Sequence, residues 1–244
     1  VLNDLKSEGV DISMVQIGKG EKTGMSVVLV ADDGGRSIIT YRGAAKDLNS
    51  SEMDWGKISG ADWIQIAALG GNMALVEDLA SFARKEKILV GWNPGKGELS
   101  QKERVLRILP KIDLLILNRM EAAQLVQQSY EEMKEMAVKI SNFEVNRVVI
   151  TDGKRGAGVI AGGVWTFAPA FKTKSVDDTG AGDAFIAGMV AGILGGKDLA
   201  TSLKMGLANG ASEVTDLGAK TGLLRKNEMT RWLRRRLKII EEKI

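Results

Sequence analysis

The apolar and polar positions along the chain predict short strands separated by helices. Short apolar runs recur, and after most of them the apolar residues return at the helical spacing of three or four positions. Short buried strands that alternate with helices are typical of a parallel sheet covered on both faces. The predicted strands are 63–68, 88–92, 114–117 and 148–151, and the predicted helices are 72–86, 98–108, 119–127 and 131–141.

Two further pairs of strands are predicted to form hairpins. Residues 26–31 and 36–41 are strand-like, and Asp32-Asp33-Gly34-Gly35 between them predicts a hairpin turn. Residues 159–161 and 164–167 flank Gly162-Gly163 in the same way.

The last third of the chain is predicted to be mostly helical, in segments 182–194, 198–215 and 226–243. In the last segment the apolar residues Leu233, Leu237, Ile240 and Ile244 fall on one helical face, and arginines cover the other face.

The first residues of the chain predict the last turns of a helix. Residues 1–8 have helical spacing and Gly9 ends them, but no capping residue or strand comes before. We therefore expect a single domain over residues 1–244 whose N-terminal segment is missing.

The composition excludes several kinds of chemistry. The chain has 244 residues, 44% of them hydrophobic and 27% charged, and contains no cysteine and no histidine. Disulfides, thiolate or histidine metal sites, cysteine nucleophiles and Ser-His-Asp triads are therefore excluded, and acid–base chemistry must use Asp, Glu, Lys or Tyr. No apolar run approaches the roughly 20 residues of a membrane span, so no membrane association is expected. The absence of cysteine fits a cytoplasmic protein, which is the expected location.

The net charge of +3 is a mild excess of positive charge. One basic cluster, residues 231–238, could contact nucleic acid. The arginines also suit the exposed side of an amphipathic helix, and Glu241 and Glu242 follow them directly. We therefore expect no nucleic-acid partner.

Residues 177–185, with the sequence DDTGAGDAF, predict an anion site. Gly180-Ala181-Gly182 lets backbone N–H groups converge where a helix begins, and a helix N-terminus favours a bound phosphate. Asp183 follows in the first turn, where a carboxylate can take a proton from an attacking hydroxyl. The alternative is that Asp183 only favours the helix dipole and that the glycines only turn the chain.

Two other nucleotide motifs do not fit this stretch. A dinucleotide fingerprint needs glycine where Phe185 stands, and no G-x-x-x-x-G-K-[ST] segment occurs in the chain.

With these residues the chain resembles the ribokinase-like (PfkB) carbohydrate kinases. DDTGAGDAF resembles their signature D-T-x-G-A-G-D-x-F, Asn118-Arg119-Met120-Glu121 resembles their N-x-x-E motif, and Thr151-Asp152-Gly153 with Gly156 resembles their T-x-G-x-x-G turn. Weaker matches follow in the family's order: Tyr41-Arg42-Gly43-Ala44, Asn93-Pro94-Gly95, Ala208-Asn209-Gly210-Ala211 and Leu217-Gly218-Ala219.

The resemblance implies a fold and a set of roles. The fold is a ribokinase-like three-layer α/β/α sandwich with a small β-lid at about residues 11–45. Asp183 is then the catalytic base, and Gly180, Ala181 and Gly182 form the anion hole. The nucleotide contacts are Thr151, Gly153, Gly156 and Asn209, while Asn118 and Glu121 position Mg²⁺ through water, and Asp177 helps to hold a monovalent cation such as K⁺.

Each of these residues also has a structural alternative. Asn118 and Glu121 suit a helix N-cap with a first-turn acid, Thr151-Asp152-Gly153 suits a plain turn, and Asn209 suits a buried helix amide.

The implied function is an ATP-dependent kinase that transfers the γ-phosphate to a sugar hydroxyl, as in ribokinase or fructokinase. The alternatives are a nucleoside kinase and a nucleotide-binding remnant without catalysis, because the family's first strand, with its sugar-binding Asp, and its G-G-x-x-x-N motif have no match in this sequence. The lid strands of this family often pair between chains, which implies a homodimer.

Overall fold

The computed structural model describes residues 1–18, 20–30, 36–127 and 132–244. The predicted turn at Asp32-Asp33-Gly34-Gly35 lies outside these residues. The helices are α1 (Leu2–Ser7), α2 (Trp55–Ile58), α3 (Met73–Glu86), α4 (Lys96–Leu99), α5 (Lys102–Ile108), α6 (Arg119–Val126), α7 (Met133–Ser141), α8 (Ala181–Leu194), α9 (Leu199–Glu213) and α10 (Lys226–Leu233). The strands are β1 (Met25–Val30), β2 (Arg36–Tyr41), β3 (Trp63–Ile66), β4 (Leu89–Trp92), β5 (Leu114–Asn118), β6 (Arg147–Thr151), β7 (Ala157–Ala161), β8 (Val164–Ala168) and β9 (Ile240–Lys243).

Seven strands form one sheet in the order β3-β4-β5-β6-β7-β8-β9. The strands from β3 to β6 are parallel neighbours, and β7, β8 and β9 each run antiparallel to the strand before them. Since the carboxyl ends of parallel strands share one edge, the loops after β3, β4, β5 and β6 meet there.

Helices cover both faces of this sheet. One buried cluster joins α3, α5, α6 and α7 to one face, and a second joins α8, α9 and α10 to the other. Alternate residues of β5 enter opposite clusters: Leu115 and Leu117 lie in the first, and Leu114 and Ile116 lie in the second. The predicted three-layer α/β/α sandwich is therefore confirmed, and its near-continuous apolar strands reflect burial on both faces.

The predicted helix over residues 98–108 is divided in the structure. Helix α4 ends at Leu99 and α5 begins at Lys102. The Gln101 side chain at this break donates to the carbonyl oxygens of Gly71 (2.8 Å) and Gly97 (3.2 Å). This tie to the loop after β3 accounts for the break, which apolar spacing alone did not show.

The prediction of one helix over residues 226–243 is wrong. Helix α10 ends at Leu233, and Ile240–Lys243 forms β9 along the edge of β8. Lys204 Nζ donates to the carbonyl oxygens of Leu233 (2.9 Å) and Arg235 (2.7 Å), so the helix end is capped by another helix. Strand β8 offers a free ladder of backbone groups, and pairing with it outweighs the helical periodicity.

The four residues that were expected to share one apolar helical face have different surroundings in the structure. Leu233 and Leu237 pack against the second cluster, whereas Ile240 is 43% and Ile244 is 52% exposed.

The hairpin of β1 and β2 stands apart from the seven-stranded sheet. Its antiparallel register pairs Met25 with Tyr41 and Val27 with Ile39. These four side chains and Leu29 lie on one face of the hairpin and are between 47% and 64% exposed. That this hairpin acts as a lid, within residues 11–45, stays a prediction. Among the described residues, no helix has the length and apolar character needed to cross a membrane.

Candidate active site

Three predicted strand ends meet at the carboxyl edge of the sheet. Asn118 at the end of β5 is in register with Thr151 at the end of β6. Asn93 follows β4, and its Nδ2 donates to the Ile116 carbonyl oxygen of β5 at 2.9 Å. The structure therefore brings together the N-x-x-E and T-x-G segments that the sequence places 30 residues apart or more.

Asn118 and Glu121 form a capping box at the start of α6. Asn118 Oδ1 accepts from the Glu121 N–H at 2.9 Å, and Glu121 Oε2 accepts from the Asn118 N–H at 2.8 Å. Burial raises the pKa of the Glu121 carboxyl, while its bonds to Asn118 lower it in part. The two residues thus form the helix cap that was the structural alternative, and the other Glu121 oxygen and the second lone pair of Asn118 Oδ1 can still accept from water.

A cavity of about 540 Å³ lies beside these strand ends. Its volume falls within the range of about 300–1,000 Å³ typical of small-molecule sites. The predicted site residues that line it are Thr151, Gly153, Gly156, Ala181 and Gly182. Its apolar lining comes from Ala157, Ala170, Phe171, Phe185, Leu207, Ala211 and Val214.

A second aromatic ring and a guanidinium group support Phe171 in the cavity wall. Trp232 meets the Phe171 ring edge-on at 5.2 Å between centroids, and the Arg235 guanidinium lies 4.2 Å from the Trp232 ring centroid. Sequence reasoning missed this wall, because Phe171 and Trp232 come from distant parts of the chain and carry no local pattern.

The G-A-G turn has the geometry of an anion site. Gly180 has φ of 84°, and a β-carbon there would lie 2.7 Å from the Ala219 carbonyl oxygen, so only glycine fits. Helix α8 begins at Ala181, and the first N–H groups of a helix have no acceptor within it. A β-carbon at Gly182 would meet no protein atom, so this glycine leaves open space at the helix start.

Asp183 occupies the first turn of α8 and is exposed. It does not line the cavity itself, but it directly follows Gly182, which does. A carboxylate at this place is accessible to a hydroxyl that approaches from outside the cavity.

Asn209 lies behind the cavity rather than in its wall. The residue is 6% exposed, its Nδ2 donates to the Ala184 carbonyl oxygen at 2.7 Å, and its Oδ1 accepts from the Leu224 N–H at 2.8 Å. It therefore ties α9 to α8 and to the loop before α10.

Asp177 joins two loops beside the anion site. Its Oδ1 accepts from the Thr179 N–H (3.0 Å) and hydroxyl (2.7 Å), and its Oδ2 accepts from the Gly218 N–H at 3.2 Å. The Val214 carbonyl oxygen accepts from the Val176 N–H at 2.7 Å and holds the same loops together.

Glu213 is a second acidic residue at this place, and sequence reasoning missed it. Its side chain is fully buried, and neither carboxylate oxygen has a well-aligned hydrogen-bond partner. Burial raises the pKa of this carboxyl, the nearby Gly222 N–H lowers it in part, and the charges of Asp216 and Asp177 raise it again. An unpaired buried carboxyl needs a proton or a cation, and only the folded structure reveals the burial.

Comparisons with known proteins identify the family of this chain. Residues 1–226 match the family described as pfkB family carbohydrate kinase. The chain is 30% identical over 220 residues to the ATP-dependent ribose-1-phosphate kinase of Halopiger xanaduensis, covering 89% of this chain and 70% of that relative.

Two solved structures share the fold. A putative ribokinase II of E. coli, in complex with ATP and Mg²⁺, has a TM-score of 0.84 at 20% identity and covers 96% of this chain and 78% of its own. The nucleoside kinase of Burkholderia thailandensis, in complex with inosine, has a TM-score of 0.80 at 21% identity. The match covers 95% of this chain and 74% of the nucleoside kinase. The family match spans nearly the whole chain, so the chain belongs to the pfkB family of carbohydrate kinases and is a phosphotransferase with an alcohol-group acceptor.

Proposed function

We propose that this protein transfers the γ-phosphate of ATP to a hydroxyl of a sugar. The observation that carries the proposal is the cavity whose apolar part lies beside the Gly182 helix start, with Asp183 as the next residue. An apolar slot suits a base, a helix N-terminus suits phosphates, and an accessible carboxylate suits the acceptor hydroxyl. The apolar slot, the helix N-terminus and the carboxylate follow one another in the same order as the base, the phosphates and the acceptor hydroxyl.

Each residue then has a role in positioning or proton transfer. Thr151, Gly153 and Gly156 line the pocket of the nucleotide, and Asn209 holds α8 and α9 in place behind it. The N–H groups of Gly180, Ala181, Gly182 and Asp183 stabilise the charge on the transferring phosphoryl group. Asp183 takes the proton of the attacking hydroxyl as the bond to phosphorus forms and the bond to the ADP oxygen breaks.

The N-x-x-E segment fits Mg²⁺ held through water. When bound, Mg²⁺ neutralises charge on the phosphate oxygens, and it keeps several waters in such sites. Across the described residues, no three acidic side chains come together closely enough to hold a metal ion. Glu121, through the oxygen that accepts no capping bond, and Asn118, through the second lone pair of Oδ1, can accept from the waters of such an ion.

The loops around Asp177 fit a monovalent cation such as K⁺. The unpartnered carboxylate of Glu213 lies within electrostatic range of Asp177 and Asp216, and α9 directs its negative end to this place. The negative charge gathered here supports a cation whose remaining ligands are backbone carbonyls of residues 214–218.

A nucleoside remains the second candidate acceptor. The fold shared with a nucleoside kinase bound to inosine supports it, while the relative with 30% identity acts on a sugar phosphate. The sugar proposal rests on the second comparison, because similarity below 25% identity shows the fold alone.

The test is an acceptor panel with the purified chain, ATP and Mg²⁺. Ribose, fructose, their phosphates, adenosine and inosine are compared by ADP release and by mass spectrometry of the products. We expect a phosphorylated sugar or sugar phosphate that forms only with acceptor present. Phosphorylation of nucleosides alone would favour the second candidate, and ATP binding without any product would indicate a nucleotide-binding remnant.

A further inference from the structure

A nearly buried ion pair joins two segments of the proposed nucleotide site. Arg119 Nη1 lies 3.1 Å from Asp152 Oδ2, and the two side chains are only 10% and 12% exposed. Asp152 also contacts Arg155, whose Nε lies 2.8 Å from Oδ2 and whose Nη2 donates to Oδ1 at 3.2 Å. One carboxylate therefore sits between two guanidinium groups.

The pair occupies the variable positions of the two motifs. Arg119 is the first residue of α6 and lies between Asn118 and Glu121. Asp152 lies between Thr151 and Gly153, which both line the cavity. Neither residue lines the cavity itself, so the pair acts on the site through its neighbours.

The turn that borders the cavity is built around Asp152. The Asp152 N–H donates to the Gly156 carbonyl oxygen at 2.8 Å, and the Arg155 N–H donates to the Asp152 carbonyl oxygen at 3.0 Å. Gly153 and Gly156 have positive φ of 50° and 111°, so the backbone here has a conformation that few residues adopt. A displacement of Asp152 therefore moves Gly153 and Gly156 with it.

Burial makes this pair a firm link. An ion pair shielded from water has stronger electrostatic attraction than a surface pair, so removal of either partner weakens the link between the two segments. The Arg104–Glu77 pair differs, because it joins α5 to α3 far from the cavity and is 35% and 38% exposed. That pair provides a control for stability alone.

We propose that the Arg119–Asp152 ion pair is a positioning device for the nucleotide. It fixes the Gly153–Gly156 turn relative to the Asn118–Glu121 segment, so that the parts facing the nucleotide and its phosphates keep one geometry. The proposal rests on the proposed function, since it assigns the two segments to one nucleotide.

The experiment compares neutral variants of the pair with matched variants of the control pair. Arg119→Met, Asp152→Asn and the double variant are set beside Arg104→Met, Glu77→Gln and their double variant. For each protein, the thermal midpoint, the Kd for ATP with Mg²⁺ and the KM values for ATP and acceptor are measured. Arg119→Lys tests whether charge alone restores binding.

We expect each single variant of the pair to raise the Kd for ATP by about 10- to 100-fold, because small displacements of positioning groups have effects of this size. The acceptor KM stays within about twofold, and the double variant binds ATP no worse than the single variants, since the two changes remove one link. Arg119→Lys restores part of the affinity. The control variants lower the thermal midpoint at most and leave the Kd for ATP unchanged.

The proposal is overturned if folded variants of the pair bind ATP within about twofold of the wild type, as a purely structural pair would. Should the single variants fail to fold, the double variant and Arg119→Lys decide, because the first removes both charges of the pair and the second keeps both. A wild-type chain that binds ATP but phosphorylates no acceptor would contradict the proposed function and leave this binding measurement valid. A wild-type chain that binds no ATP would contradict both.

Discussion

Asp183 is the side chain on which the proposed chemistry depends most. Replacement of Asp183 by Asn keeps the size of the side chain and removes its ability to accept a proton. We expect the Kd for ATP to stay near the wild-type value and kcat to fall by about 10²–10⁴-fold, the usual contribution of a positioned base. Steady-state kinetics and calorimetric ATP titration measure the two quantities.

Asp78→Asn is the control for Asp183→Asn, since Asp78 is an exposed residue of α3 outside the site. Near-normal kcat in Asp183→Asn would contradict the assignment of Asp183 as base.

Some residues of the site could be predicted from the sequence, and others could not. The Asp183 and Gly180 positions follow from a short motif whose spacing fixes its own local geometry, a turn and the first turn of a helix. Glu213 and Arg119 have no such local signal, because their burial depends on segments distant in sequence. A charged residue on a predicted helix is usually solvated, so only the folded structure identifies these two as exceptions.

The start of helix α8 gives a prediction that separates binding from stability. A β-carbon at Gly182 would meet no protein atom, and alanine is favoured over glycine in a helix. We therefore expect Gly182→Ala to leave the thermal midpoint unchanged or raised, and to weaken ATP binding because the methyl group enters the open space at the helix start. Differential scanning calorimetry and ATP titration test the two parts.

Gly180→Ala is the matched contrast for Gly182→Ala. Gly180 has positive φ, and its β-carbon would lie 2.7 Å from the Ala219 carbonyl oxygen, so this variant should lose stability as well. Equal ATP affinity of wild type and Gly182→Ala would show that the space at Gly182 is not used by the nucleotide.

The loop after α9 gives a prediction about cations. If K⁺ neutralises the buried Glu213 carboxylate, K⁺ should raise the thermal midpoint more than an equal concentration of tetramethylammonium. Glu213→Gln should abolish most of that difference, because the amide carries no charge. Glu103→Gln, at an exposed position of α5, should keep it.

Activity in the two salts provides a second readout for the cation, and it should follow the same order. Equal midpoints and equal rates in K⁺, Na⁺ and tetramethylammonium would remove the cation from the proposal.

At the scale of elements, the alternation of strands and helices was predictable, and the C-terminal element was not. Each of β4 to β6 is a short apolar run, because burial on both faces demands it. Strand β9 is exposed along its length, and its residues Ile240–Lys243 are held by pairing with β8 and by an ion pair between Glu242 and Lys134 of α7. Periodicity records which residues are buried, so it carries little information about an exposed edge strand.

In the part of the chain that the structure describes, the β1–β2 hairpin carries an exposed apolar surface, formed by Met25, Val27, Leu29, Ile39 and Tyr41. A two-stranded hairpin is at best marginally stable by itself, and apolar patches of this kind often mark contact sites. We predict that two chains associate through this face.

Sedimentation velocity over a concentration series tests the association. Val27→Lys with Ile39→Lys should give a monomer, whereas Ser26→Lys, on the opposite face, should not change the mass. A wild-type monomer at every concentration would contradict the prediction.

The contact of Trp232 with Phe171 behind the cavity has a consequence for the fluorescence of the protein. Trp232 lies edge-on to Phe171, which lines the cavity, and beneath the Arg235 guanidinium. The emission of an indole depends on the charges and dipoles within a few ångströms, so a ligand that shifts Phe171 or Arg235 changes the fluorescence of Trp232. The other four tryptophans, Trp55, Trp63, Trp92 and Trp165, supply the rest of the emission. The protein therefore carries an intrinsic fluorophore at the wall of its proposed nucleotide site, and Trp232→Phe identifies its share of the signal.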